Sequence, residues 1–245
     1  MSRPVLLIAG GSRGIGAATA KLAGERGYDV AVNYKTNSNA AAAVVKAVEK
    51  NGGKAVAIQG DMALENDIER VFDDVSKKLG AITHFVHSSG IIGDNSRLDD
   101  ASTQTIREVL DVDTFGALLC LRACVRRMST KHGGNGGAVV MLSSMAAPLG
   151  GANECVWYAA AKAGVDSMVI GASREVAKEG MRVNAITPGV IDTDIQPPGR
   201  IDRVTPMLPM GRAGQADEVA EAVLFLLSDA ASYINGANLR VSGAR

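Results

Sequence analysis

Short apolar runs rich in valine, isoleucine and alanine alternate along this chain with longer segments of helical period. The predicted strands cover Val5–Ala9, Asp29–Asn33, Ala55–Gln59, His84–His87, Ala138–Leu142, Arg182–Ile186 and Asn238–Val241. The predicted helices cover Ile15–Arg26, Ser38–Asn51, Leu64–Leu79, Thr103–Lys131, Val156–Glu179 and Asp217–Leu227. Wholly apolar strands separated by helices are typical of parallel sheets that are buried on both faces. We therefore expect an α/β fold, with one doubly wound parallel sheet of about seven strands and helices on both faces.

The 245 residues fit a single domain, because no linker, repeat or charge block divides them. Four glycines follow predicted helices, at positions where a left-handed residue commonly ends a helix: Gly27, Gly52, Gly80 and Gly180. From Asp192 to Gly214 the periodicity stops, and four of the seven prolines lie there. Long irregular segments inside compact domains are usually lids or binding loops. We predict a substrate lid at about 192–214, with a disordered excursion as the alternative.

Composition argues against several classes of partner. Basic residues (26) balance acidic residues (26) and aromatic residues make up 4%, which disfavours nucleic-acid binding. The apolar run at Val5–Gly10 is too short for a membrane span or a signal sequence. Three cysteines without a C-x-x-C pattern support neither a disulfide framework nor a metal site. We expect a cytoplasmic protein with no metal, no nucleic-acid partner and no membrane partner.

A glycine-rich segment joins the first predicted strand to the first predicted helix. It reads Gly10-Gly11-Ser12-Arg13-Gly14-Ile15-Gly16, with the spacing G-x-x-x-G-x-G. Glycine permits close approach of the backbone to a pyrophosphate, and the N-terminus of a helix offers free N–H groups. Because the spacing differs from the usual G-x-G-x-x-G, a ligand-free turn stays open as the alternative. The prediction is a dinucleotide site formed by Gly10, Ser12, Arg13, Gly14, Ile15 and Gly16.

The end of the second predicted strand bears on which dinucleotide binds. NAD-binding proteins of this class place a carboxylate there, on the ribose 2′-hydroxyl. This chain has Asn33-Tyr34-Lys35, without a carboxylate. Arg13 and Lys35 would attract a 2′-phosphate, although each is also plausible as a solvated surface charge. We predict NADP(H) in preference to NAD(H), with Asn33, Tyr34 and Lys35 among the contacts.

Tyr158 and Lys162 stand four residues apart on one predicted helix, so their side chains share a face. Tyrosine has an ordinary pKa of about 10, and a neighbouring ammonium favours the phenolate. The pair suits acid–base catalysis, although an amphipathic helix supplies the same residues for packing. Ser143-Ser144 ends the fifth strand and Pro188-Gly189 follows the sixth, at the edge where such sheets bind ligands. A serine hydroxyl there would donate to a carbonyl oxygen.

Together these motifs resemble those of the short-chain dehydrogenase/reductase family over essentially the full length of the chain. The motifs are Gly10-x-x-x-Gly14-Ile15-Gly16, Asp61 after the third strand, Ser143-Ser144, Tyr158-x-x-x-Lys162 and Pro188-Gly189. The similarity is to the group of 3-oxoacyl-carrier-protein reductases and glucose 1-dehydrogenase-like enzymes. It implies a Rossmann-type domain, a homotetramer and an NADP(H)-dependent oxidoreductase. The implied substrate is a small-molecule carbonyl or secondary alcohol: a 3-oxoacyl thioester, a ketone or a sugar.

The resemblance also implies roles for individual residues. Tyr158 would be the general acid/base, Ser144 would stabilise the substrate oxygen, and Lys162 would hold the nicotinamide ribose and lower the tyrosine pKa. Asp61 and Met62 would meet the adenine, and Pro188, Gly189, Ile191 and Thr193 would lie along the cofactor beyond the sixth strand. Because one residue more than usual separates Ser144 from Tyr158, Ser143 stays open as the alternative serine.

Two departures from the family pattern bear on function. The family usually shows Asn-Asn-Ala-Gly after the fourth strand, where this chain has His87-Ser88-Ser89-Gly90. We expect Ser89 and Gly90 to approach the cofactor, and His87 to be either a ribose contact or a hydrogen-bonded structural histidine. The family's fourth catalytic residue, an asparagine, matches Asp113, whose charge would act on the predicted lysine. A second hypothesis therefore stays open: a catalytically weak NADP(H)-binding sensor or partner protein.

Overall fold

Seven parallel strands form one central sheet in the structure, a computed structural model that describes residues 3–245. The strands in chain order are β1 (Val5–Ala9), β2 (Asp29–Tyr34), β3 (Ala55–Gln59), β4 (His84–His87), β5 (Gly137–Leu142), β6 (Met181–Pro188), β7 (Ile191–Asp192), β8 (Gly214–Gln215) and β9 (Asn238–Val241). The order across the sheet is β3-β2-β1-β4-β5-β6-β9, while β7 and β8 pair separately with each other. The strand order reverses between β1 and β4, which is where doubly wound sheets open a crevice for ligands.

The helices cover both faces of the sheet. They are α1 (Gly14–Glu25), α2 (Ser38–Lys50), α3 (Glu65–Leu79), α4 (Thr103–Leu110), α5 (Ala117–Met128), α6 (Ala146–Leu149), α7 (Val156–Val176), α8 (Arg200–Val204) and α9 (Ala216–Leu227). Leu7 and Phe85 pack with α3, α5 and α7 on one face, whereas Leu6 and Ile8 pack with α1, α2 and α9 on the other. Alternate strand residues thus enter two separate cores, as the wholly apolar strands predict.

The structure confirms the predicted fold class, and all seven predicted strands are present. The four predicted helix-ending glycines all have positive φ, from 75° at Gly180 to 102° at Gly80. The predicted helix Thr103–Lys131 differs in one respect: a π-helical turn at Asp111–Gly116 interrupts it, and α5 ends at Met128. A single π turn inside an α-helix is frequent at functional sites. No helix within residues 3–245 is long and apolar enough to cross a membrane.

The segment predicted as a lid is irregular at residues 193–199 and 208–213, but it contains one short helix and has paired ends. Its two ends are joined because β7 pairs with β8, matching Ile191 with Gly214. Between them, α8 packs into a small apolar cluster of Val190, Val204, Leu208 and Ala213. Sequence periodicity missed α8 because five residues are too few to display a helical repeat.

Candidate active site

A cleft runs along the carboxyl ends of the strands and has two adjoining parts. One part is lined by the glycine loop, residues 33–37 and residues 60–62. The other is lined by residues 142–146, Tyr158, Lys162 and residues 188–191. Both parts share the lining residues Ile15, Ser88, Ser89, Gly90, Ile92, Thr193 and Ile195. An extended ligand can therefore reach continuously from the glycine loop to Tyr158.

The structure brings nearly all of the predicted site residues to this cleft. Its lining includes Gly10, Ser12, Arg13, Gly14, Ile15, Asn33, Tyr34, Lys35, Asp61, Met62, Ser89, Gly90, Ser144, Tyr158, Lys162, Pro188, Gly189, Ile191 and Thr193. Gly16 and Asp113 are buried and do not line it. These positions fit the predicted roles, while the roles themselves stay predictions.

The glycine loop has the geometry of a phosphate cradle. Gly10 has a φ of 72°, and a Cβ atom there would lie 2.8 Å from the amide nitrogen of Ser89. A Cβ atom on Gly16 would lie 2.3 Å from the carbonyl oxygen of Gly10. Among the described residues, no side chain caps the N-terminus of α1 and no acidic residue lies in its first turn. Its amide groups and partial positive charge thus suit a pyrophosphate.

Asn33 holds this loop from beneath. Its side chain is buried; Oδ1 accepts a hydrogen bond from the Gly10 amide at 3.2 Å, and Nδ2 donates to the carbonyl oxygens of Ile58 (3.3 Å) and Gly60 (3.0 Å). The sequence pattern suggested a cofactor contact at this position. That contact stays a prediction, since Asn33 lines the cleft, and the structure adds that the amide group ties β1, β2 and β3 together under the cradle.

We expect Asn33→Ala to lower the free energy of unfolding by about 2–3 kcal/mol, because buried backbone groups lose their partners. Cofactor affinity should fall as well, since the Gly10 amide is no longer held. Urea denaturation and fluorescence titration with NADPH measure the two effects. Asn51→Ala, at an exposed helix end, is the matched control. Equal stability of the two variants would contradict the assigned role.

The part of the cleft lined by the glycine loop, predicted to hold the adenosine, contains a pair of opposite charges. Lys35 Nζ lies 2.7 Å from Asp61 Oδ2, and Asp61 Oδ1 also accepts a hydrogen bond from the Ala63 amide at 3.0 Å. The sequence could not show that Lys35 is already paired. Arg13 is exposed and forms no ion pair with any residue from 3 to 245. Of the two predicted phosphate ligands, Arg13 is thus the one whose charge is uncompensated.

At the other end of the cleft, Tyr158 on α7 is 8% exposed and faces Ser144 and Lys162. Lys162 Nζ lies 5.6 Å from the centre of the tyrosine ring. The pKa of Tyr158 is raised, because burial and the carboxylate of Asp113 outweigh the charge of Lys162 and the hydroxyl of Ser144, which lower it. The phenol is therefore placed between a cation and a hydroxyl group, an arrangement suited to proton transfer.

The two candidate serines are distinguished by their contacts. Ser143 is buried, and its hydroxyl donates to the carbonyl oxygen of Lys162 at 3.2 Å. Ser144 is partly exposed and lines the cleft together with Tyr158, and its hydroxyl oxygen accepts a hydrogen bond from the Ala146 amide at 3.1 Å. This geometry supports Ser144 as the residue that meets substrate and gives Ser143 a structural role in supporting α7.

Lys162 is buried and has two polar neighbours. Its Nζ donates to the carbonyl oxygen of Leu142 at 3.1 Å and lies 3.1 Å from Asp113 Oδ2. Asp113 lies in the π-helical turn, and its Oδ1 accepts a hydrogen bond from the Ile91 amide at 2.9 Å. Gly90 passes beside this pair, where a Cβ atom would lie 3.1 Å from Asp113 Oδ2 and 3.2 Å from Lys162 Nζ.

His87 is fully buried, and neither ring nitrogen has a hydrogen-bond partner in the described part of the chain. Burial, with the charge of Lys162, lowers the pKa of His87 to about 3, so the imidazole is neutral near pH 7. The residue does not line the cleft. Of the two interpretations, the structure supports a structural histidine, but without the hydrogen bonds that were expected.

The sequence analysis missed a charged cluster in the part of the cleft that contains Tyr158. Glu154 lies before α7 and forms ion pairs with Arg200 at 2.8 Å and Arg203 at 3.4 Å, both on α8. Glu154, Arg200 and Cys155 all line the cleft near Tyr158. These residues carry no motif, because Glu154 and the arginines of α8 lie far apart in sequence and meet only after folding.

A glycine-lined cradle that leads to a serine, a tyrosine and a lysine defines an oxidoreductase site for a nicotinamide dinucleotide. Comparisons with known proteins agree. The family model described as Enoyl-(Acyl carrier protein) reductase matches residues 9–243. The chain belongs to the short-chain dehydrogenase/reductase family and is an oxidoreductase that acts on a small molecule with a nicotinamide cofactor.

Several relatives are similar over nearly their whole length. An uncharacterised oxidoreductase, YgfF, of Escherichia coli strain K12 is 42% identical, covering 98% of this chain and 99% of that protein. A 3-oxoacyl-[acyl-carrier-protein] reductase of Synechocystis is 34% identical, covering 99% and 97%. The crystal structure of levodione reductase superposes with a TM-score of 0.90 at 27% identity, covering 99% of this chain and 97% of that one.

Proposed function

We propose that this protein is an NADP(H)-dependent carbonyl reductase, with the oxidation of a secondary alcohol as the reverse reaction. The carrying observation is that Ser144, Tyr158 and Lys162 line the same continuous cleft as the glycine cradle. A 3-oxoacyl thioester, a ketone or a sugar carbonyl would suit such a site. Relatives named as 3-oxoacyl-[acyl-carrier-protein] reductase and carbonyl reductase family member 4 support this substrate class.

The residues divide the chemistry among them. A bound nicotinamide supplies the hydride in reduction and accepts it in oxidation. The hydroxyl groups of Ser144 and Tyr158 hold the carbonyl oxygen, and Tyr158 donates its proton to that oxygen. The ammonium of Lys162 stabilises the phenolate that remains. Each of these groups lies on α7 or directly after β5, so the sheet fixes their relative positions.

The activity is tested by NADPH oxidation across a panel of 3-oxoacyl thioesters, ketones and sugars. Saturable turnover with at least one carbonyl is the expected result. Tight cofactor binding without turnover anywhere in the panel would instead favour the alternative, a cofactor-binding sensor. The intact set of Ser144, Tyr158 and Lys162 argues against that alternative.

The preference for NADP(H) rests on Arg13 and Lys35. Arg13 belongs to the glycine loop and Lys35 follows β2, so both lie at the adenosine end of the cleft. Lys35 would turn from Asp61 to a 2′-phosphate or contact both. No carboxylate follows β2 to repel that phosphate.

We expect Arg13→Gln to raise the dissociation constant of NADPH about tenfold and to leave that of NADH nearly unchanged, because it removes a charge-assisted contact to the 2′-phosphate. Isothermal titration with both cofactors measures the difference. Lys21→Gln, which removes an exposed charge on α1, is the control. A loss of equal size for both cofactors, or a native preference for NADH, would refute the assignment.

Three further parts of the proposal have separate support. The ion pairs of Glu154 with Arg200 and Arg203 join α8 to the loop before α7, which suits a lid at 192–214.

Leu110, Phe115 and Leu118 expose apolar side chains along α4–α5, and a homotetramer would cover such a surface. Cytoplasmic location agrees with Cys120, Cys124 and Cys155, all unpaired within residues 3–245. Light scattering tests the assembly.

A further inference from the structure

The ion pair of Asp113 with Lys162 is an unusual neighbour for a tyrosine that must release a proton. Both side chains are almost wholly shielded from solvent, with 0% exposure for Asp113 and 4% for Lys162. Their atoms Oδ2 and Nζ lie 3.1 Å apart, and the Ile91 amide fixes the other carboxylate oxygen. Screening by water and salt is weak at such a depth, so both charges act strongly on groups nearby.

The two charges act on Tyr158 in opposite directions. Lys162 favours the phenolate, as expected of a cation whose Nζ lies 5.6 Å from the ring centre. The carboxylate of Asp113 disfavours the phenolate and so cancels part of the effect of Lys162. The same carboxylate raises the pKa of Lys162 and keeps the ammonium protonated against the desolvation that burial imposes.

The other polar groups around Asp113 and Lys162 do not replace the effect of the Asp113 carboxylate on Tyr158. Ser144 and Cys155 face Tyr158 from β5 and from the loop before α7; the serine lowers the tyrosine pKa and the cysteine raises it. Asp166 acts on Lys162 from the next turn of α7, but its Oδ1 accepts a hydrogen bond from Asn238 at 2.7 Å. His87, on β4, is neutral near pH 7. Asp113 is therefore the carboxyl group that opposes Lys162 at the tyrosine; burial raises its own pKa, while the adjacent ammonium of Lys162 and the Ile91 amide favour its charged form.

We propose that Asp113 is a positioning residue that holds Lys162 charged and cancels much of its field at Tyr158, so that the tyrosine keeps its proton to a more alkaline pH. Asp113 does not line the cleft, so it acts through Lys162 and not on substrate. The inference rests on the proposed function for its meaning in catalysis. The rate of reduction, which needs the protonated tyrosine, then stays constant across neutral pH and falls only at alkaline pH. The rate of oxidation, which needs the phenolate, rises with pH over the same alkaline range.

A pH titration of the tyrosinate absorbance tests the proposal directly. Wild type, Asp113→Asn and Asp166→Asn are each titrated without cofactor or substrate, and the curve of the same protein carrying Tyr158→Phe is subtracted to isolate Tyr158. The absorbance step that marks deprotonation of Tyr158 is expected in Asp113→Asn at a pH about one unit or more below that of wild type. Asp166→Asn removes the same charge from the far side of Lys162 and should leave the step within about 0.3 unit, because Tyr158 does not feel it directly.

The amide in Asp113→Asn keeps the shape of the carboxyl group and an oxygen for the Ile91 amide, and circular dichroism confirms folding at each pH. If that variant does not fold, Asp113→Ser supplies a second neutral side chain. A step seen in the neutral variant but not in wild type before alkaline unfolding supports the proposal. A step at the same or a higher pH in the neutral variant, or no step in either protein, overturns it.

The titration needs no turnover, so its result is separate from that of the carbonyl panel. If no carbonyl in the panel were reduced, the proposed function would be refuted, and the titration would still decide whether Asp113 acts on the pKa of Tyr158. Where turnover is found, the alkaline fall of kcat/KM for reduction should begin at a lower pH in Asp113→Asn, by about the same one unit.

Discussion

Tyr158→Phe is expected to lower kcat/KM for carbonyl reduction by about 10²–10⁴-fold, because it removes the proton donor and keeps the ring. The affinity for NADPH should change by no more than about twofold, since the glycine loop and Lys162 are untouched. Steady-state kinetics on the best substrate of the panel and fluorescence titration with NADPH measure the two quantities.

Tyr233→Phe is the matched control for that substitution. It removes the same atom from a fully exposed side chain and should leave both quantities unchanged. If Tyr158→Phe kept more than about a tenth of the wild-type activity, another group would have to supply the proton. Ser144, whose hydroxyl lines the cleft beside the tyrosine, would then be the first candidate.

Lys162→Met is expected to abolish turnover and also to lower the free energy of unfolding by about 3–5 kcal/mol near pH 7, because it leaves the carboxylate of Asp113 buried without its cation. Urea denaturation measures the loss. Lys178→Met, which removes an exposed lysine just beyond α7, should change stability by less than about 0.5 kcal/mol.

The destabilisation by Lys162→Met should depend on pH in a defined direction. Burial raises the pKa of Asp113 in the folded protein, and without the lysine nothing charged opposes that rise. The folded state then binds a proton more tightly than the unfolded state, so the stability lost is smallest in acid and grows as pH rises past the unfolded pKa of about 4. The double variant Lys162→Met/Asp113→Asn should regain most of the loss; no recovery would show that packing, and not charge, causes it.

The sequence predicted the fold well because burial on both faces leaves a strong record in strand composition. The run at Val5–Ala9, which is buried throughout, and the run at His84–His87, which is largely buried, match the observed strands to the residue, and so does the more exposed edge strand Asn238–Val241. The misses have local causes. The π-helical turn at Asp111–Gly116 leaves no mark in the types of residue from which periodicity is judged. The helix α8 is shorter than the window over which periodicity can be detected.

Most of the predicted site residues line the cleft, but the contacts among them could not be predicted. Motif spacing placed Ser144, Tyr158 and Lys162 together, and the cleft contains them all. What spacing cannot give is which charges meet after folding: Lys35 with Asp61, or Glu154 with Arg200. These pairs join segments that are far apart along the chain, so each depends on the exact crossing of two elements.

The pairing of β7 with β8 also bears on how proteins built in this way diverge. It fixes both ends of the segment 192–214 at one point beside the sheet, so the closure of that loop does not depend on its contents. Residues between the two short strands can therefore be exchanged, lengthened or shortened without displacing Ser144 or Tyr158. If this segment is the substrate lid proposed above, a lineage with this architecture can acquire new substrates by changing that one segment while its hydride and proton chemistry stays the same.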